Sequence, residues 1–175
     1  MLHLCASHLM RTPVPTISVA ILMLVGCSPT GSGPLSFQTP TDWRIEHKTS
    51  GEHEFYTVTA KTPNGGLLMI YQWPAPSRPE EIPALVQKIA DGFLEQVKRS
   101  SDLKLTSEEY RVEQFAGEHC RGSFAAFQVA SNGTNTVQTM FVMSVDGGIW
   151  FGQFTGPSDA WKKALTVLRG IEKNG

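Results

Sequence analysis

The second half of the chain is a series of strand-like runs separated by short connections that contain glycine, and this pattern most constrains the fold. Parallel strands need a crossover of about a dozen residues or more, whereas antiparallel strands can be joined by a tight turn. Neighbouring runs are therefore predicted to pair as antiparallel strands. The runs are Tyr110–Phe115, Ser123–Ser131, Thr136–Val145 and Ile149–Thr155.

Three further strand-like runs precede these, and the last two of the three are joined by the residues of a tight hairpin. The dipeptide Asn64-Gly65 is typical of two-residue β-turns because both residues tolerate positive φ. The runs are Asp42–Lys48, Glu54–Lys61 and Leu67–Trp73.

Two segments carry apolar residues at three- and four-residue steps, which predicts amphipathic helices. The first follows Ser77 and Glu80, which have the spacing of a capping box, and its apolar stripe runs from Ile82 to Val97. Gly92 inside this stripe predicts a close approach to a neighbouring element. The second helix is predicted to begin with Ser158 as its N-cap.

The order of these elements predicts an α+β fold. A helix with one apolar stripe must cover a sheet. The chain is therefore expected to form an antiparallel β-sheet of about six to seven strands flanked by two helices. Apolar residues occupy both faces of Thr136–Val145, so both faces of this strand are expected to be partly covered.

The beginning of this domain and its element order resemble the PsbP-like superfamily, which includes extrinsic photosystem II subunits and small DcrB-like bacterial lipoproteins. The resemblance is carried by Phe37-x-x-Pro40-x-x-Trp43, the long helix after the first strands, Gly117 before a strand, and Trp161 in the closing helix. Asp42 stands where the family usually has glycine. The resemblance implies an αβα sandwich that serves binding or assembly rather than catalysis, and it transfers no functional residue.

The N-terminal apolar run Ile17–Gly26 is about ten residues long, whereas a membrane-spanning helix needs roughly 20. It is typical of a signal peptide. The run ends in Leu24-Val25-Gly26-Cys27, which resembles the recognition site of the lipoprotein signal peptidase. Cys27 would then carry the lipid, palmitate included. An ordinary secretory signal and a transmembrane anchor are the alternatives.

The chain therefore divides into three expected parts. Residues 1–26 are a lipoprotein signal peptide, in which residues 1–9 are a possible start-site extension. Residues 27–36 are the lipidated Cys27 and a flexible tether that reaches at most about 30 Å. Residues 37–175 form a single α+β domain. The residue after Cys27 is Ser28 rather than Asp, which favours the outer membrane over the cell membrane and places the domain in the periplasm.

The charge pattern argues against nucleic acid as a partner. Sixteen acidic side chains and fourteen of the fifteen basic ones follow Cys27, which leaves the processed chain at a formal charge of −2. No run of basic residues supports phosphate binding. The expected partners are membrane lipid, through Cys27, and an unknown protein of the cell envelope.

Two arrangements with possible chemistry accompany these features. His119-Cys120 could form a nucleophilic pair, but neighbours on a strand point to opposite faces. Cys120 is the only thiol left after processing and is expected to be buried. A group of His and Glu side chains could bind zinc, but a solvated hairpin tip is the preferred interpretation. That group is His47, Glu52, His53 and Glu54.

Two tryptophans are candidates for a binding surface. Trp73 ends a strand, and Trp150 lies in a segment with aromatic residues on both faces. No catalytic residue, metal or cofactor is expected. The leading hypothesis is a lipid-anchored binding or assembly module, and the alternative is a small hydrolase-like envelope enzyme. An enzyme requires polar groups converging in a cleft, whereas a binding module requires an exposed apolar or aromatic patch.

Overall fold

Two helices cover opposite faces of an antiparallel sheet in the computed structural model, which describes residues 33–51, 53–62, 65–72, 78–107, 109–131 and 133–174. The strands are β1 (Leu35–Ser36), β2 (Trp43–Ser50), β3 (His53–Ala60), β4 (Leu67–Gln72), β5 (Lys104–Leu105), β6 (Val112–Ala116), β7 (Cys120–Ser131), β8 (Thr134–Val145), β9 (Gly148–Gly156) and β10 (Glu172–Lys173). The helices are α1 (Ile82–Arg99), which follows a 3-10 turn at Pro79–Glu81, and α2 (Ser158–Arg169).

The main sheet has eight strands in the order β2-β3-β4-β9-β8-β7-β5, and β6 also pairs with β7. Every pairing between described strands is antiparallel, and β1 with β10 forms a separate two-stranded sheet. The predicted α+β class with two helices is confirmed. The sheet is larger than the expected six to seven strands. The strand that the prediction missed is β5, because its two residues are too few to show periodicity.

Strand β8 is buried on both faces, as its sequence predicts. On one face Val142 packs in a cluster with Val86 of α1, and on the other face Phe141 packs in a cluster with Leu168 of α2. All four side chains are fully buried. The sheet is therefore the middle layer between α1 and α2.

The helix starts differ in detail from the expectations. Pro157, with extended backbone, is the N-cap of α2, and no side chain caps it, so Ser158 is the first helical residue instead. At the start of the 3-10 turn, the Glu81 carboxylate accepts a hydrogen bond from the backbone N–H of Arg78 at 3.4 Å. Ser77, the expected cap, lies outside the described residues.

Gly92 does not serve the close approach that its position in α1 suggested. A Cβ built on Gly92 would meet no atom within 4 Å. The residue lies on the exposed side of the helix, away from the sheet. The glycine there therefore lowers helix propensity without a packing benefit.

The folded domain begins before the expected boundary at residue 37. Leu35 is 4% exposed and pairs with Lys173 across the β1–β10 sheet. The backbone N–H of Asn174 donates to the carbonyl of Pro34 at 3.0 Å. The expected tether of residues 28–36 was thus too long, because burial of Leu35 and strand pairing hold its last residues in the fold.

Neither α1 nor α2, the helices of the described part of the chain, is long and apolar enough to cross a membrane.

Candidate functional site

Helix α1 covers only part of its face of the sheet. It packs against β5, β6, β7 and β8. On the same face, the side chains of β3 and β4 remain half-buried, and Phe55 and Tyr71 belong to neither core cluster. Within the described ranges, a half-buried and partly apolar area of the sheet therefore lies beside α1.

Three aromatic rings form the centre of this area, and we name Phe55, Tyr71 and Phe151 the aromatic ladder. They occupy directly opposed positions on β3, β4 and β9. The ring centroids of Phe55 and Tyr71 are 4.8 Å apart, and those of Tyr71 and Phe151 are 6.1 Å apart with an angle of 23° between the planes. Cross-strand aromatic pairs of this kind stabilise the sheet and present a continuous surface of rings.

Strand alternation places the aromatic ladder on this face. Side chains alternate between the two faces of a strand, and β4 shows this with Leu68 and Ile70 fully buried under the α2 layer and Met69 and Tyr71 half-buried on the other side. Both faces of β4 are thus apolar in composition. Among the described helices, only α2 closes a face of β4.

The polar atoms of this surface have weak partners among the described residues. The Tyr71 hydroxyl donates to Met69 Sδ at 3.5 Å, and the Gln153 side-chain amide lies 4.0 Å from the same sulfur. A thioether is a weak acceptor. Burial raises the pKa of Tyr71 above its ordinary value, so the hydroxyl stays a neutral donor. The surface can therefore contribute ring faces and two hydrogen-bond donors to a partner.

Several expected site residues lie outside the part of the chain that the structure describes. These are Leu24, Val25, Gly26 and Cys27 of the lipidation motif and Trp73 of the expected binding surface.

Trp150 lies in the core and not on a surface. Its side chain is 4% exposed, and its ring centroid is 5.9 Å from that of Tyr56 in the cluster beneath α2. The alternation of β9 turns Trp150 toward α2 and its neighbour Phe151 toward the open face. Phe151 is therefore the aromatic residue of this segment on the α1 side, where it is half-buried and packs at the edge of the cluster beneath α1.

Two residues of the expected histidine and glutamate group meet. His47 Nε2 is hydrogen-bonded to Glu54 Oε2, and the His47 ring stacks on Tyr56 with centroids 4.6 Å apart. His53 is exposed on the opposite face of β3, and Glu52 is not among the described residues. Within the described ranges no three His, Cys, Asp or Glu side chains lie together in a way that could hold a metal ion.

Cys120 and His119 do not form a catalytic pair. Cys120 is buried and its thiol donates to the carbonyl of Leu168 at 3.0 Å, whereas His119 is exposed. Burial raises the pKa of the Cys120 thiol. A protonated thiol without access to solvent is a poor nucleophile.

The structure contains a polar cluster between α1 and the segment before β6 that the sequence did not predict. The Tyr110 hydroxyl donates to Asp91 Oδ1 at 2.6 Å, and the Gln87 side-chain amide donates to the Tyr110 oxygen. Burial, followed by the Asp91 hydrogen bond, raises the pKa of Tyr110 to about 12. These contacts fasten α1 to the chain beside it.

Comparison with solved structures identifies the fold. The solution structure of cyanobacterial PsbP (CyanoP) from Synechocystis sp. PCC 6803 is 13% identical to this chain with a TM-score of 0.50, and the match covers 86% of this chain and 99% of CyanoP. LpqN of Mycobacterium tuberculosis, described as involved in cell envelope biogenesis, is 12% identical with a TM-score of 0.39 and coverage of 81% and 83%. A Bacteroides thetaiotaomicron protein is 15% identical with a TM-score of 0.35 and coverage of 81% and 46%.

No protein-family model and no curated protein matches the chain. The match to CyanoP covers most of this chain and nearly all of CyanoP. The resemblance to the PsbP-like superfamily is thus confirmed at the level of architecture, and this chain has a PsbP-like fold.

Proposed function

We propose that this protein is a lipid-anchored module of the cell envelope that binds a protein partner through the aromatic ladder. The observation that carries the proposal is the row of half-buried rings Phe55, Tyr71 and Phe151, in which Phe55 and Tyr71 belong to neither core cluster and Phe151 packs at the edge of the cluster beneath α1. Apolar surface that remains accessible beside a well-packed core is typical of interaction sites. Aromatic side chains contribute large contact areas with few rotatable bonds, which suits them to binding surfaces.

The anchor in this proposal is the lipidation of Cys27. The described part of the chain begins at Gly33, and five residues separate Gly33 from Cys27. An extended chain spans about 3.3–3.6 Å per residue, so Gly33 would lie within about 20 Å of the lipid-bearing residue. A domain held this closely samples partners in the same membrane at a high effective concentration. We place it on the periplasmic side of the cell membrane or outer membrane.

The arrangement of polar groups favours binding over catalysis. The His47–Glu54 pair is stacked against Tyr56 at the position where the N-terminal segment enters the fold. A Cβ on Gly33 would collide with both Tyr56 and His47, so the backbone at Gly33 lies against this pair. The pair is therefore closed off by the chain itself and does not open into a substrate cleft.

Site-specific photocrosslinking tests the partner surface. A photoreactive phenylalanine analogue at Tyr71 in the full chain, expressed in native membranes, is expected to capture one specific envelope protein. The control places the same analogue at Gln128, an exposed residue of β7 on the opposite face of the sheet, and no specific adduct is expected there. Equal labelling from both positions would contradict the proposal.

A hydrolase screen on the same protein tests the enzyme alternative. Turnover that His47→Ala abolishes, with no adduct from Tyr71, would reverse the assignment and make the His47–Glu54 pair catalytic.

A further inference from the structure

Strand β2 forms one edge of the main sheet, and among the described strands only β3 pairs with it. The Lys61 N–H donates to the Asp42 carbonyl at 2.7 Å, and hydrogen-bonded positions alternate along an antiparallel pair. The backbone groups of Ile45 and His47 therefore point away from β3, and no other described backbone segment bonds to them. Main-chain donors and acceptors at such an edge can pair with another extended chain.

The charged side chains of β2 alternate in sign along one face. Arg44, Glu46 and Lys48 occupy every second position, and Lys48 lies directly opposite Phe55 of the aromatic ladder, so all three share the face of the ladder. Arg44 and Glu46 form an ion pair at 3.1 Å, and their side chains are 69% and 42% exposed. An edge with charges of one sign would repel a second copy, whereas alternating charges can be opposed by their own sequence in an antiparallel pair.

We infer that the outer edge of β2 pairs with the same edge of a second copy of this chain, antiparallel and with Ile45 at the two-fold axis. The N–H and C=O groups of the two Ile45 residues bond to each other, and the His47 N–H of each copy donates to the Trp43 carbonyl of the other. The Trp43 N–H takes no part, because it bonds to the Pro40 carbonyl within its own chain. The contact is isologous, so it closes as a dimer.

This register opposes every charged residue of β2 with one of opposite sign. Arg44 of each copy meets Glu46 of the other as a non-hydrogen-bonded pair, in which side chains approach most closely, and Lys48 meets Asp42. On the other face, the half-buried side chains of the two Ile45 residues meet. A register centred on Glu46 would instead set Glu46 against itself and Arg44 against Lys48, which is repulsive.

A register centred on His47 would also oppose unlike charges, but the surroundings of His47 disfavour it. The His47 side chain is bonded to Glu54, and the Gly33 backbone lies so close that a Cβ there would collide with the ring. That register would bring both rings, each with the backbone packed against it, to the axis. With Ile45 at the axis, only two aliphatic side chains meet there.

The pairing would continue the sheet from one copy into the other and place both aromatic ladders on one face. Only residues 43–47 of each strand take part, which is less surface than the about 800 Å² per partner of a standard interface. A weak dimer is therefore expected, and a covalent trap is the suitable measurement. The inference depends on neither the lipid anchor nor the partner of the proposed function, so its failure would leave both untouched.

Disulfide crosslinking of the full chain, purified in detergent, tests the pairing. The Cα atoms of the two Ile45 residues would be about 5.5 Å apart, within the range of a disulfide, so Ile45→Cys is expected to give a covalent dimer on mild oxidation. Lys48→Cys is the control, because this position is more exposed but its Cα atoms would be about 20 Å apart. The unsubstituted chain, with its own cysteines only, gives the background.

Two complementary charge variants separate this contact from an effect on folding. Each chain carries Ile45→Cys with either Arg44→Glu or Glu46→Arg, and tags of different mass distinguish the two. Each variant alone is expected to crosslink with itself about tenfold less, because like charges then oppose each other. Their mixture is expected to form a mixed dimer as efficiently as the Ile45→Cys chain alone, since every Glu at the contact then meets an Arg. The same mixture with Lys48→Cys in place of Ile45→Cys is expected to remain monomeric.

The mixed dimer needs both variants folded, so its formation also excludes misfolding as the cause of the separate losses. No covalent dimer from Ile45→Cys, which is the outcome if the segment before Gly33 covers the edge, would overturn the pairing. Equal crosslinking from Ile45→Cys and Lys48→Cys would overturn it as well. So would a mixture of the charge variants that crosslinks no better than its components.

Discussion

Tyr56 connects the N-terminal segment to the core. Its ring lies 4.8 Å from Phe37 and 4.6 Å from His47, measured between centroids, and its hydroxyl accepts the backbone N–H of Leu35. Burial raises the pKa of Tyr56, so the hydroxyl stays neutral at every physiological pH. One side chain thus serves both as core packing and as the hydrogen-bond acceptor that holds the first strand.

Tyr56→Phe is expected to lower the free energy of unfolding by about 1–3 kcal/mol, because it leaves the buried N–H of Leu35 without its acceptor. Urea denaturation monitored by tryptophan fluorescence measures the change. Tyr71→Phe is the control, since the Tyr71 hydroxyl has only a thioether partner, and its expected cost is below about 0.5 kcal/mol. Equal losses in the two variants would contradict this role of Tyr56.

Cys120 is expected to resist thiol reagents in the folded protein. Its side chain is buried, and desolvation raises its pKa, so the thiolate that reacts is scarce until the pH exceeds the ordinary thiol range. Titration with a chromogenic disulfide reagent before and after adding denaturant measures the difference. Rapid reaction in the native state would show that the thiol is accessible and would reopen a chemical role for it.

At the scale of elements, the width of helix coverage decides where the binding surface lies. Helix α1 is positioned over β5 to β8 and is fastened at its side by the hydrogen bond from Tyr110 to Asp91. The sheet extends three strands further, to β4, β3 and β2, beyond β9. The apolar side chains of β3 and β4 on that face consequently remain half-buried, and they form the surface that we propose for a partner.

Gly92→Ala is expected to raise the free energy of unfolding by about 1 kcal/mol, because alanine favours the helix and the added methyl meets no neighbour. Gly152→Ala on β9 is the contrasting variant, since its Cβ would collide with the Phe141 ring and the Met69 carbonyl. That variant is expected to destabilise the fold by about 1–3 kcal/mol. Thermal and urea unfolding measure both, and a destabilising Gly92→Ala would contradict the open surroundings of this position.

At the scale of the whole molecule, the first described strand and the aromatic ladder are on opposite faces of one sheet. Leu35 is held by Tyr56 on the α2 face, and the ladder is centred on Tyr71 on the other face. In the proposed function, this separation keeps the aromatic ladder apart from the N-terminal end of the described chain.

Cys27→Ala is expected to abolish lipid attachment and to leave the precursor uncleaved. Metabolic labelling with an alkyne fatty acid, followed by intact-mass measurement, detects both effects. Cys120→Ala is the matched control, because it removes the buried thiol and should leave labelling unchanged. Label retained by the Cys27→Ala chain would show that the lipid is attached elsewhere or that the motif is not used.

The sequence alone predicted the seven longer strands and both helices, because glycine-containing turns separate the strands and the apolar residues of the helices recur at three- and four-residue steps. The sequence did not predict β1, β5 and β10, because each has only two residues and is held in place by pairing with a strand distant in sequence.

The sequence also did not predict the aromatic ladder. Aromatic residues on both faces of β9 do not reveal whether Trp150 or Phe151 lies under a helix, because that depends on where α1 and α2 pack.

The pairing of β1 with β10 also sets an order of events. Strand β10 is synthesised after every other described strand, and yet it pairs with β1, the first of them. Contacts between residues so distant in sequence form late, since closing a long loop is entropically costly. The attachment of β1 is therefore completed only after the rest of the sheet is available, so the N-terminal end of the described chain acquires its fixed position as a late step of folding.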